Sequence, residues 1–296
     1  MSSTAPEQPW TVGRLIQWTR EYLAGREVDS PRLAAEVLLA HVLDCERIAL
    51  YARYDFAPTA EQLSQYREWV RRAAAHEPVA YLVGCRQFYS LEFVVTPDVL
   101  IPRPETELLV DQAVEHLRPL GEAGRYWDAC TGSGAVAVAT ASQVAAGVVL
   151  ATDTSEPALA VTRRNVEAHG LSSRITVAVA DLLQPPAEIA DGGLFDAITV
   201  NPPYVSDAQM AELPANVRHE PASALAAGAD GLAYISPILE QAAGVLTDNG
   251  LLGMEIGAGQ AEAVWELAQK SDRYERVRFV RDLAGIERVL VAYQKS

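Results

Sequence analysis

The second half of the chain constrains the fold most. Beyond Gly124, short apolar runs alternate with helical segments, at residues 126–129, 148–152, 175–180, 195–200 and 251–256. A strand regularly followed by a helix predicts a mostly parallel sheet with helices on both faces, because only a crossover returns the chain in the same direction. Two further strands, at 277–280 and 288–293, are separated only by 281–287, too short for a crossover helix, so an antiparallel edge pair is expected there.

The first eighty residues read differently. Apolar positions recur with helical spacing at Val12, Leu15 and Ile16, and again at Leu33, Val37, Leu38 and Val42. Ser30 before Pro31 reads as a cap followed by a first-turn proline. Thr59 with Gln62 reads as a capping box opening a helix over 60–75. From 80 to 100 the period changes to two, which predicts a β-hairpin. The expected organisation is a helical bundle over 1–79, a hairpin linker over 80–103, and an α/β domain over 104–296.

Of 296 residues, 49% are hydrophobic and 21% charged, the balance of a globular protein. Residues 1–9 lack the basic start and apolar run of an export signal, and the apolar stretch at 33–43 is too short to span a bilayer, so a cytoplasmic address without membrane attachment is expected. Cys45, Cys85 and Cys130 show no CxxC spacing, and the five histidines do not cluster, so neither disulfides nor a metal site is expected. With 24 Lys and Arg against 39 Asp and Glu, the net charge of −15 disfavours stable binding to phosphate backbones.

The first α/β strand ends in Asp128-Ala129-Cys130-Thr131-Gly132-Ser133-Gly134. Glycines in such a turn allow close backbone approach to a ligand at the carboxyl edge of the sheet. The spacing also fits a dinucleotide fingerprint, with Asp153 placed as the ribose-binding acid. Two acids favour S-adenosylmethionine instead. Asp128 faces the expected position of a cationic amino-acid end, and Asp181, before Leu182, can accept from an adenine amino group. Taken singly, Asp153 and Asp181 read equally well as helix caps.

The fourth strand runs into Asn201-Pro202-Pro203-Tyr204. Consecutive prolines remove two backbone donors and stiffen the exit. A planar nitrogen conjugated to a carbonyl or an aromatic ring is a poor nucleophile and has to be oriented toward an electrophilic methyl group. The side-chain oxygen of Asn201 and the carbonyl of Pro202 are the natural acceptors for its two N–H groups, with the Tyr204 ring packed on the flat group. Asn201, Pro202 and Tyr204 are therefore the expected catalytic residues, and Pro203 joins them in the substrate site.

These segments resemble the release-factor glutamine methyltransferases of the HemK or PrmC type. The resemblance rests on Ile101 to Glu107, Asp128 to Gly134, Asn201 to Tyr204, His219-Glu220-Pro221 and Gly228-Ala229-Asp230-Gly231-Leu232. It implies a Rossmann-like, mixed seven-stranded methyltransferase domain preceded by a helical substrate-docking domain. It also implies an enzyme, monomeric, that methylates the glutamine of the Gly-Gly-Gln loop in class I peptide-chain release factors, tuning translation termination and yielding S-adenosylhomocysteine. By position, Cys130, Thr131, Gly132, Ser133, Gly134, Asp153 and Asn201 would bind the cofactor, beside Asp128, Asp181 and Leu182 from the residue reading. Two departures are Cys130, where relatives often have glycine, and Leu182, where some carry an aromatic. Phe88 is expected in the core and Arg103 in an ion pair, while Glu255 reads as a site-edge acid or a solvated strand-end acid.

The same acceptor motif serves enzymes that methylate exocyclic amines of adenine or guanine, which makes a nucleic-acid methyltransferase the main alternative. A nicotinamide oxidoreductase would leave Asn201 to Tyr204 unexplained, and a non-enzymatic binding protein would not require that motif intact.

Overall fold

The computed structural model describes residues 9–186 and 193–296. The leading segment read above for export signals lies outside the described residues up to Gln8. The chain divides into two compact units, one of residues 1–84 with 215–219 and one of 85–214 with 220–296.

The first unit is helical: α1 (Val12–Ala24), α2 (Pro31–Val42), α3 (Ala49–Ala52), α4 (Ala60–Ala73) and α5 (Val79–Val83). Val12, Leu23, Leu38, Leu39, Leu50 and Val70 form its core. The Tyr66 hydroxyl donates to the Ala35 carbonyl at 3.2 Å, joining α4 to α2. Thr59 and Gln62 form the expected capping box. Two local expectations fail. Ser30 takes φ 46°, so its side chain caps nothing, although Pro31 still opens α2. Residues 80–83 are helical rather than extended, because Pro78 begins and Gly84, at φ 79°, ends a single helical turn over Val79–Val83.

The hairpin is accordingly shorter than 80–103. It pairs β1 (Cys85–Phe88) with β2 (Leu91–Val94) in the second unit. Phe88 is buried as expected, with its ring edge-on to Phe93.

The rest of that unit runs α6 (Glu107–Leu117), β3 (Arg125–Ala129), α7 (Ala135–Gln143), β4 (Val148–Asp153), α8 (Glu156–Ala168), β5 (Ile175–Val179), β6 (Phe195–Val200), α9 (Asp207–Ala211), α10 (Ile235–Val245), β7 (Leu246–Glu255), α11 (Ala261–Ser271), β8 (Tyr274–Arg281) and β9 (Glu287–Gln294). The seven-stranded sheet has the order β5-β4-β3-β6-β7-β9-β8. Its first five strands are parallel, and β9 lies antiparallel to both β7 and β8, as the short final connection requires. Separate apolar clusters cover the two faces. Chain order reverses between β3 and β6, so a crevice opens at their carboxyl ends.

Candidate active site

The register across that reversal places Ala129 opposite Val200. The glycine loop and the Asn-Pro-Pro-Tyr segment therefore leave the sheet side by side. Both line one cleft, together with Asp153, Asp181 and the 98–106 segment.

The glycine loop is held from several directions. Thr131 donates its backbone N–H to the Thr152 carbonyl at 2.9 Å, and Gly132 donates to Asp153 Oδ2 at 3.0 Å. The Thr162 hydroxyl donates to the Gly132 carbonyl at 2.8 Å. Asn165 on α8 donates to the carbonyls of Ser133 and Val94 and accepts from the Val94 N–H at 2.7 Å, fastening the hairpin to the loop. Gly134 has φ 79°, and a Cβ there would lie 2.8 Å from Thr162 Cγ2, so its backbone shape and its packing both exclude a side chain. Cys130 takes φ 53° and Leu182 φ 51°. The cysteine thus occupies a conformation in which glycine carries no steric penalty.

Asp128 is 2% exposed. Its carboxylate accepts from the hydroxyls of Thr131 at 2.6 Å and Thr199 at 2.7 Å, and from the Ala137 N–H in the first turn of α7. Thr199 gives its one proton to Asp128, so the Tyr126 hydroxyl, 2.5 Å away, must donate to Thr199. Among the described residues Asp128 has no ion-pair partner. Burial pushes its carboxyl up to about 6 against those donors. Asp153 also accepts from the Ser155 N–H through Oδ1, while the cap of α8 is the Ser155 hydroxyl, which accepts from Ala158. Asp181 is exposed at the rim.

In the acceptor segment, Pro202 is buried and Asn201, Pro203 and Tyr204 are partly so. Asn201 and Pro203 line the cleft; the cavity wall does not include Pro202, Tyr204 or Gly134. Asn201 Nδ2 donates to Thr106 Oγ1 at 3.4 Å. Among the described residues, neither Asn201 Oδ1 nor the Pro202 carbonyl accepts a hydrogen bond. Gln260 donates to the carbonyls of Tyr204 and Gly231. Gly231, at φ 77°, lies so close that a Cβ would stand 2.6 Å from the Tyr204 oxygen.

Two buried acids hold the cleft-lining residues Arg103 and Thr106 through partnerships that sequence spacing does not reveal. Glu220 is buried and accepts from the Ile101 N–H at 3.1 Å and from Arg103 Nη2 at 2.5 Å, so the expected ion pair of Arg103 has a partner more than a hundred residues away. Glu255 is 2% exposed, not solvated. It accepts from the Thr106 hydroxyl at 2.6 Å and the Tyr204 hydroxyl at 3.2 Å. Burial, the largest cause, pushes the Glu255 carboxyl up to about 7 and the Tyr204 phenol well above its usual range.

Five parallel strands, a glycine loop after β3 and a stiff Asn-Pro-Pro-Tyr exit from β6 define a class I methyltransferase fold. The hMettl16 catalytic domain, solved in complex with MAT2A 3′UTR hairpin 6, shares that fold with a TM-score of 0.56 at 16% identity, over 75% of this chain and 81% of that one. Residues 14–84 match the family described as PrmC N-terminal domain, and residues 94–227 match Conserved hypothetical protein 95. The release factor glutamine methyltransferase of Rhodopirellula baltica is 41% identical over 98% of both chains. That of Moorella thermoacetica is 40% identical over 93% of this chain and 95% of its own. The chain belongs to the release factor glutamine methyltransferase family.

Proposed function

We propose that this protein transfers a methyl group from S-adenosylmethionine to the side-chain amide nitrogen of the glutamine in the Gly-Gly-Gln loop of class I release factors. The observation that carries the reading is the pair of unengaged acceptors, Asn201 Oδ1 and the Pro202 carbonyl, beside the glycine loop.

The cleft suits the cofactor chemically. Among the described residues Asp128 is a buried carboxylate without a cation, which a positively charged amino-acid end would complement. Asp153 has one lone pair on each oxygen left for ribose hydroxyls, and Asp181 is exposed at the rim beside Leu182. Cys130 to Gly134 offer backbone groups close to that end. When bound, the sulfonium supplies an electrophilic methyl group.

The chain's own residues then orient the nucleophile. Asn201 Oδ1 and the Pro202 carbonyl accept the two N–H groups of the primary amide, which fixes its plane and its approach. Pro202 and Pro203 keep those acceptors rigid. Tyr204, anchored by Glu255, supports the loop and supplies a flat apolar surface. A translation factor as acceptor places the reaction in the cytoplasm, and the net charge of −15 weighs against a phosphate backbone.

Purified protein with methyl-labelled S-adenosylmethionine is offered an intact release factor, its Gly-Gly-Ala variant, or mixed DNA and RNA. Label in the intact factor alone is the expected result. Label in nucleic acid would move the protein to the exocyclic-amine class.

A further inference from the structure

We propose that Glu255 acts through Thr106 as a positioning residue, holding the Asn201 amide in the one orientation that offers Oδ1 to the acceptor nitrogen. This rests on the methyl-transfer reading above and deepens it.

Each hydroxyl along this chain of contacts has a single proton to give. Glu255 closes β7, an interior strand of the sheet, and is buried, so its oxygens have only the neighbours the fold provides. An ionised carboxylate only accepts. The 2.6 Å contact therefore commits the single Thr106 proton to Glu255. Thr106 can then only accept at its other hydrogen-bond partner among the described residues, the Asn201 amide 3.4 Å away, and it is Nδ2 that must face it. With Nδ2 committed there, Oδ1 is left as the acceptor Asn201 presents. The Tyr204 hydroxyl holds the other carboxylate oxygen, so the same anion fixes both ends of the Asn-Pro-Pro-Tyr segment.

Protonation undoes the assignment. A neutral Glu255 can donate to Thr106, whose own proton is then free for Asn201. The amide turns to bring Oδ1 to that proton and withdraws it from the substrate. The groups facing Glu255 set where this happens: burial, the largest influence, and the Glu105 charge favour the neutral form, while Thr106, Tyr204 and Arg288 on β9 favour the anion, for a balance at about 7. Arg288 is itself paired with Asp282 at 2.9 Å, which limits its help. Asp128 titrates lower, at about 6, and acts on the cofactor end.

The test is single-turnover methyl transfer to an unmodified release factor from pH 6 to 8.5, at saturating cofactor, with cofactor affinity followed separately by calorimetry. Wild type should gain rate as pH rises through about 7. Glu255→Gln, close in shape, should be slower by tenfold or more, lose that pH dependence and keep cofactor affinity within about threefold. Thr106→Val should behave like Glu255→Gln, whereas Thr106→Ser, which restores the hydroxyl, should recover most of the rate. Wild-type rate and pH profile in Glu255→Gln, or equal rates in the valine and serine variants, would overturn the inference while leaving the reading intact. A wild type that transfers no label to the release factor at any pH would overturn the reading itself, and this inference with it.

Discussion

Gly132 donates its backbone N–H to Asp153 Oδ2 at 3.0 Å, so the acid that ends β4 shapes the loop that follows β3. Asp153→Ala leaves that N–H and the Ser155 N–H without acceptors. We expect cofactor affinity to fall at least tenfold by calorimetry. Asp153→Asn, which keeps one oxygen, should fall less. Equal affinities in all three proteins would contradict a shaping role.

Gly134→Ala combines a strained φ of 79° with a 2.8 Å approach to Thr162 Cγ2. A destabilisation of about 1–3 kcal/mol is expected in urea unfolding. Thr162→Ser removes the clashing methyl and keeps the hydroxyl that donates to Gly132. Combined with Gly134→Ala it should recover part of the loss, giving a coupling that strictly additive energies would rule out.

The buried acids make stability depend on pH in an unusual direction. Asp128 is held near 6, against 3.8 when solvated. A carboxyl raised on folding binds its proton more readily in the folded chain, so stability is lost as pH climbs between about 4 and 6, by up to about 1.4 kcal/mol per unit. Asp128→Asn removes that penalty. Its stability relative to wild type should rise from pH 4 to 6 and level off above, as urea midpoints would show; a pH-independent difference would refute the assignment.

Glu220→Ala strips the Ile101 N–H and Arg103 of their shared acceptor. Breaking such a buried, hydrogen-bonded pair should cost about 2–4 kcal/mol, discounted for the partial exposure of Arg103. Thermal melting would register it, and an unchanged midpoint would show that the wall does not depend on Glu220.

What the sequence discloses follows from how local each signal is. The Asp128 to Gly134 turn, Asp153, Asp181 and Asn201 sit at strand ends, and a strand-end position is legible from periodicity alone. Thr106 and Glu255 stand 149 residues apart, Asn165 and Val94 are 71 apart, and Arg103 and Glu220 are 117 apart. Those partnerships exist only once elements far apart in the chain have packed together, so no spacing reveals them. Glu255 illustrates the limit: its place on the strand is readable, but its burial depends on the elements that cover it. The left-handed Cys130 and Leu182 belong to the same class, since a side chain gives no warning that its backbone has adopted a conformation glycine prefers. Within the first unit, residues 80–83 are helical where a strand is expected, because Pro78 and Gly84 outweigh apolar alternation in so short a segment.

The most direct measurement is peptide mass spectrometry of an unmodified class I release factor after incubation with S-adenosylmethionine and either wild-type protein or Asn201→Ala, whose side chain fills little of the core. The account predicts one methyl group on the Gly-Gly-Gln glutamine with wild type, and formation slowed by at least about 100-fold in the variant, as expected when an orienting contact is lost. A methyl group on any other residue, or equal rates for the two proteins, would contradict it.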